Sequence, residues 1–494
     1  MGENFGIGTR GRATPLPPRG APGMARRAFG RREASRLAVA LGLGALGGGC
    51  EDDGQAPEGG AALGDAGLAA AAAPAQFPLA IHAGERFLRD AAGQPFLVHG
   101  DTAWSLIAQL PREAAEAYLE DRRGRLFNTL LVSLLESRFS SNPPANAYGE
   151  RPFLGQADYA TPNERYFAHA EWVLRKAGAL GFLVLLTPSY IGAGGGAEGW
   201  YRQMLAGGAE TLRGYGRYLA RRFRDLPNIL WVHGGDDNPP DKAVVNAIAE
   251  GIAETDGRWL HTAHCGAETA ALDYWRGERW LRVNTLYTYG PVHAGAERQW
   301  ARPERMPFFL IESAYENEHG ATEWRLRSQA YQAVLCGAAG QVFGNNPIWH
   351  FDGPEIHPAP VGWREALDSR GAQSMTHLRR LLDAVPWWQL VPDTDGKLLS
   401  GNPGSGHGRA VAALSSDRSL AIVYLPRDRS ITLDLASLAG PRIRARWYDP
   451  AAGRLFAIGG AAFAAQGERV FRPRARNGAG LEDWVLLLTA VPGA

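Results

Sequence analysis

The sequence predicts a (β/α)8 barrel, a TIM barrel, followed by a small antiparallel β-sandwich. Three observations lead there. Between residues 96 and 343 eight short apolar runs alternate with longer stretches of helical period. Polar and aromatic residues gather just after those runs, where a barrel of this kind builds its site. Beyond residue 393 the helical period stops, and short runs separated by turn residues take over.

The chain has 494 residues, 45% of them hydrophobic, enough to bury a large core in two domains. Lys+Arg number 52 against 51 Asp+Glu, a net charge of +1, so no basic field for nucleic acid and no acidic tail is present. Tryptophan is frequent, at 15. Indole packs cores, and it also stacks on the CH faces of sugars.

Residues 1–23 are rich in Gly, Pro and Arg and lack an apolar period, and Met24 is read as the start. Arg26-Arg27 and Arg31-Arg32 are followed by the apolar run Leu37–Leu46 and by Gly47-Gly48-Gly49-Cys50. Basic, apolar and small residues in that order make an export signal, too short to span a bilayer. Its ending resembles a bacterial lipoprotein signal, lipidated at Cys50, with an ordinary cleaved peptide as the alternative. The order therefore predicts an export segment over 1–50 and a membrane tie only through Cys50. Residues 51–76, mostly Ala, Gly, Asp and Glu, read as a flexible tether. The barrel is expected over 77–392 and the sandwich over 393–494. Cys265 and Cys336 then remain as buried free thiols.

Taken in order, Leu88 to Phe96 reads as a hairpin turning at Gly93. The barrel runs are Phe96–His99, Phe127–Leu134, Gly181–Thr187, Ile229–His233, Trp259–Ala263, Leu281–Leu286, Phe308–Ile311 and Gly340–Phe343. Helices are expected over Pro111–Arg122, Glu164–Ala179, Ala209–Phe223, Ala243–Glu254 and Glu323–Cys336. An open doubly wound sheet would carry a Gly-rich nucleotide fingerprint after its first strand, and here that strand ends His99-Gly100-Asp101-Thr102. The tail supplies Ala410–Leu414, Leu420–Leu425, Ile431–Leu435, Ile443–Tyr448, Leu455–Ile458, Val470–Arg472 and Trp484–Leu488 as short strands.

The rim chemistry fits hydrolysis of a glycoside, which needs one carboxyl to protonate the leaving oxygen and a second to attack or to activate water. The fourth and seventh runs supply Asp236, after Gly234-Gly235, and Glu312, at the end of an apolar strand. An ionisable group at such a strand end is costly unless it faces a site or a partner, and Arg282 or Arg138 would be that partner in a purely structural reading. Glu312 is expected to be ionised and Asp236 protonated near neutral pH, through burial and the neighbouring charge. Sugar contacts are expected from Asp101, Trp104, His233, Asp237, Asn284, Tyr287, Tyr289, Tyr315, Asn346 and Trp349, with Asp237 the competitor of Asp236. A metal-dependent barrel hydrolase would use His261 and His264 with His233 and Asp236. No His-x-His follows the first strand, however, and histidines three apart at a strand end splay, so no metal or cofactor is expected. A non-catalytic glycan- or matrix-binding surface protein is the other alternative.

The stretch Phe96-Leu97-Val98-His99-Gly100-Asp101-Thr102-Ala103-Trp104, the segment Gly234-Gly235-Asp236 through Pro239, and Glu312 through Tyr315 together resemble the apiosidase-like catalytic domain of bacterial glycoside hydrolases. The resemblance runs from about residue 79 to about 390. It implies hydrolysis, with retention, of apiosyl linkages in the pectic polysaccharide rhamnogalacturonan II, with Asp236 as acid/base and Glu312 as nucleophile. An oligo- or polysaccharide would be the partner. His233 stands where an apolar residue is more usual, and Asp237 adds a second acid. Val385 to Pro392 resembles the family's inter-domain joint. Trp447-Tyr448-Asp449-Pro450 and Asp483-Trp484-Val485-Leu486 resemble a domain named for collagen binding, for which packing against the barrel is the expected role and glycan binding the alternative.

Overall fold

The computed structural model describes residues 74–155, 158–354, 357–473 and 475–491. The segment expected to direct export, Cys50 and nearly all of the expected tether lie outside the described residues. The last residues of that stretch, 74–76, are tied down. Gln76 donates its amide to Asp90 Oδ2 (3.1 Å), and its carbonyl accepts from Ala91 (2.8 Å).

A two-stranded hairpin, Leu88–Arg89 with Pro95–Phe96, precedes eight parallel strands. These are β1 (Val98–Thr102), β2 (Thr129–Ser133), β3 (Leu183–Thr187), β4 (Ile229–Gly234), β5 (His261–His264), β6 (Asn284–Tyr287), β7 (Phe308–Glu312) and β8 (Gly340–Phe343). Their order is β5-β4-β3-β2-β1-β8-β7-β6, and a parallel bridge between His261 and Leu281 closes the ring. Each apolar run of the sequence coincides with one strand, although Phe96 belongs to the hairpin rather than to β1.

Alternation along the strands divides the core into two layers. Leu131, Leu183, Leu185, Leu230, Val232, Phe309, Ile311 and Val342 fill the interior, and Leu79, Leu88 and Phe96 join them. Leu130, Val132, Val184, Leu186, Trp231, Phe308 and Leu310 face outward into the helical layer. The expected helices form with ends shifted by at most two residues, and the third, expected from Ala209, is preceded by a further helical stretch that starts at Tyr201. Gly208, at φ +75° and ψ 160°, has a non-helical backbone that breaks this segment into two helical stretches at a kink. Asn163 caps Glu164–Ala179 by accepting the Arg165 amide.

The C-terminal strands are β9 (Leu390–Pro392), β10 (Val411–Ser415), β11 (Leu420–Leu425), β12 (Ile431–Asp434), β13 (Arg442–Asp449), β14 (Arg454–Ala457), β15 (Phe463–Ala464), β16 (Glu468–Phe471) and β17 (Trp484–Val491). They build an antiparallel sheet, β9-β10-β11-β17-β13-β14 with β15 also on β13, and a separate ribbon of β12 and β16. One face of the sheet, with Ala412, Val423, Ala445 and Leu486, packs on Ile431, Leu433 and Phe471 of the ribbon. The other face, with Val411, Ala413, Ile422, Tyr424, Val485 and Leu487, is continuous with the barrel's outer core. Between them lies the helix Glu323–Leu335, every residue of which is buried from Leu326 onward. Arg327 on that helix grips Asp483 through two bonds (2.7 and 2.8 Å), both side chains being fully buried. Tyr331 stacks on Tyr424, ring centres 4.6 Å apart. The packing role expected of this domain is what its buried face provides. Cys265 and Cys336 are buried free thiols.

Candidate active site

The carboxyl end of β4 makes a turn that only glycine allows. Gly234 and Gly235 have φ of +86° and +123°, and a side chain on Gly235 would run into the Tyr190 ring. The turn leaves Asp236 itself at φ +59°, with Tyr190 donating its hydroxyl to Oδ2 (3.3 Å). The Asp236 amide points the other way and donates to His264 Nδ1 (3.0 Å).

Glu312 reaches the cleft through an irregularity. Leu310 is registered with Leu286, but the next pair is Glu312 with Tyr287, so β7 carries one extra residue. Without that bulge, alternation would send Glu312 outward with Phe308 and Leu310. The bulge re-aims it inward, as bulges beside active sites do. Glu312 is 7% exposed; Oε2 accepts from His264 Nε2 (2.9 Å) and Oε1 from the Tyr289 hydroxyl (3.3 Å). Tyr287 in turn donates to the Tyr289 hydroxyl (3.0 Å).

These bonds fix the tautomer of His264. A neutral imidazole has one acceptor and one donor. Nδ1 receives the Asp236 amide, so Nε2 carries the hydrogen and gives it to Glu312. One buried ring thus ties the turn that carries Asp236 to the carboxylate of Glu312. Burial raises the Glu312 carboxyl above its ordinary value, and the His264 donor opposes the rise.

Both carboxylates line one open cleft. Its walls are aromatic, from Trp104, Phe139, Tyr190, Tyr289, Tyr315 and Trp349. Trp104 Nε1 donates to the Tyr315 hydroxyl (3.2 Å), and Trp349 packs edge-on against Phe139 at 5.0 Å. Tyr289 is the most open of these, 45% exposed.

Residues 82–389 match the sequence profile of the apiosidase-like catalytic domain. The chain belongs to the apiosidase-like glycoside hydrolases. Residues 391–489 match a profile named for a collagen-binding domain of a collagenase. A solved structure described as a glycoside hydrolase is similar at 26% identity, over 83% of this chain and 96% of that one, with a TM-score of 0.73. A structure described as a glycoside hydrolase family 5 protein from Bacteroides vulgatus shares the fold at 24% identity, 83% and 92% coverage and a TM-score of 0.74. No curated protein matches the sequence.

The apiosidase-like cleft brings together Asp236, Glu312, Trp104, Tyr289, Tyr315 and Trp349, with Tyr287 behind Tyr289. Five other candidates lie elsewhere, and strand parity explains three. Asp101 is on the outward face of β1, fully buried, taking the Tyr118 hydroxyl (2.7 Å) and lying 3.5 Å from Arg122. Burial raises its pKa to about 6. His233 faces outward from β4, its Nε2 bonded to His261 Nδ1 (2.9 Å), and burial drives its pKa well down. Asn284 faces outward from β6, donating to Gln299 (3.0 Å) and accepting the Leu272 amide (2.9 Å). Asn346 is buried and braces a loop by donating to the His357 carbonyl (3.0 Å). Asp237, next to Asp236, is not among the residues lining the cleft.

The ligand set of a metal hydrolase does not converge either. His264 has both ring nitrogens engaged, and His233 and His261 bond each other in the outer layer. Arg138 pairs with Glu198 (2.6 Å) rather than with Glu312. Glu136, just past the end of β2, lines the cleft but spends Oε1 on the amides of Ser137, Arg138 and Phe139. Sequence reasoning missed His264 as the link between the carboxylates, although it ends an inward-facing register of β5. It also missed Glu198, Glu318, His319 and His357, which arrive on loops well past the strand ends.

Proposed function

We propose that this apiosidase-like enzyme is exported and hydrolyses a glycosidic bond in a plant-type, pectic oligo- or polysaccharide with retention of configuration. Glu312 attacks the anomeric carbon while Asp236 protonates the departing oxygen. A water then attacks the glycosyl-enzyme, giving its proton to Asp236 and releasing Glu312. The observation that carries the reading is His264, held between the Asp236 amide and the Glu312 carboxylate. Its Nε2–H favours the carboxylate that must attack and later leave, and its other nitrogen holds the turn that aims the acid. Aromatic walls suit the CH faces of sugar rings. Apiosyl linkages are the linkage class that the family's name points to. Export rests on the basic, apolar and small-residue order ending at Cys50.

The test is incubation of the full chain with a panel of pectic oligosaccharides, following released reducing sugar and, by proton NMR in the first seconds, its anomer. Release of a sugar with the starting anomeric configuration is expected. An inverted first product would remove Glu312 from the nucleophile's role. No release from any pectic substrate by folded protein would overturn the substrate class. Cys50→Ser is expected to move the protein from the membrane fraction to the soluble one with activity intact, and unchanged membrane association would refute lipidation.

A further inference from the structure

Three side chains in the cleft play no part in the two-carboxylate chemistry. Glu318 and His319 follow β7, and His357 follows β8. Each offers one ligand atom, and the three atoms all lie within 4.8 Å of one another. The two imidazoles meet edge to face, centres 4.5 Å apart. All three residues line the same cleft as Asp236 and Glu312.

We propose that Glu318, His319 and His357 form a zinc-class metal site that regulates access to the cleft. Two imidazoles and one carboxylate are the donors of zinc and its transition-metal neighbours, whereas calcium and magnesium favour oxygen donors alone. The first ligand is oriented from behind. Trp349 Nε1 donates to Glu318 Oε1 (2.9 Å), the kind of outer hydrogen bond that steers a metal-binding carboxylate and leaves its other oxygen for the ion. The two loops are also cross-braced through one residue. Asn317 donates to the Asn346 carbonyl (2.8 Å), and Asn346 donates to the carbonyl of His357 (3.0 Å). Asn346, expected from the sequence to touch sugar, thus holds the two ligand loops together. Three protein ligands leave a fourth position open. An ion there occupies space that substrate needs, so it inhibits; the hydrolytic step makes no use of it.

The test uses tag-free protein freed of metal with a chelator. Zinc chloride titrated against a competing chromophoric chelator is expected to report one tight equivalent, cobalt to give visible absorption of a low-coordinate site, and magnesium to give no uptake. His319→Ala and His357→Ala each weaken zinc by more than about 100-fold, because losing a ligand exceeds the loss from an outer partner. Trp349→Phe, which removes the outer hydrogen bond but no ligand, weakens it by about 10- to 100-fold. Melting curves without metal confirm that each variant is folded. Absence of a stoichiometric site, or zinc uptake that survives both histidine substitutions, overturns the proposal. These measurements need no turnover, so their failure is separate from failure of the hydrolase reading on which the inhibitory role rests. With an active substrate in hand, zinc is expected to raise KM and leave kcat alone, and a KM unmoved by saturating zinc would refute control of access.

Discussion

Asparagine and glutamine at position 264 would separate the two bonds that the histidine makes. Asparagine places an amide oxygen near the position of Nδ1 and keeps an acceptor for the Asp236 amide, but has nothing at Nε2. Glutamine places an N–H near Nε2 and keeps a donor for Glu312, but loses the acceptor. A hydrogen bond to a charged group contributes about 1.5–3 kcal/mol. Glu312 is 7% exposed, so solvent replaces little of it. At 1.36 kcal/mol per tenfold, losing the His264 donor disfavours the ionised Glu312 by about ten- to a hundredfold and so raises its pKa. The Tyr289 donor at 3.3 Å remains and favours the lower end of that range. The nucleophile must be ionised, so a higher pKa moves the acid limb of activity to higher pH. The assay is kcat/KM against pH with an activated aryl glycoside, whose leaving group needs no proton. His264→Asn is expected to shift the acid limb up by about 1–2 units, while His264→Gln leaves it within about half a unit. Glutamine should instead slow poor leaving groups, because the turn that aims Asp236 is no longer held. An acid limb unmoved in His264→Asn, or shifted equally in both variants, would refute the assignment of Nε2–H to Glu312.

Glu312→Gln should lower kcat by several orders of magnitude, and Asp236→Asn should slow poor leaving groups far more than activated ones; wild-type rates in either would end the two-carboxylate reading. Asp101 holds its proton more tightly in the fold, at about 6 against an ordinary 3.8, so its stabilising contribution is complete below about pH 4 and is lost as pH rises through about 6. The shift of about 2 units corresponds to about 3 kcal/mol, and urea unfolding of Asp101→Asn should lose that slope between pH 4 and 7 while the wild type keeps it. Arg327→Met leaves Asp483 buried with only Tyr424 (3.0 Å) and Asn477 (2.8 Å) as side-chain donors. It should cost about 3–5 kcal/mol in denaturant unfolding, and a loss under about 1 kcal/mol would show that the ion pair is not what holds the sheet to the barrel.

The apolar alternation of the sequence determined the eight strands, because a parallel strand covered on both faces reads as a continuous hydrophobic run whatever its neighbours. The rim position of Trp104, Asp236, Tyr289 and Trp349 was legible for the same reason, since active groups follow the ends of barrel strands. Which rim residues face the cleft was also written there in part. Asp101 shares the register of His99, His233 that of Trp231, and Asn284 that of Leu286, and all three point into the helical layer. Position after a strand does not by itself decide which face a side chain takes, and parity along the strand places these three in the outer layer. Glu312 shows the limit of parity. Its register belongs to the outer layer, and only the bulge against Leu286 and Tyr287 turns it inward, a feature of pairing between two strands that neither strand's sequence displays alone. The meeting of Glu318, His319 and His357 was likewise decided by tertiary structure, because loops after β7 and β8 have no period and are brought together only when the barrel closes and Asn346 ties them.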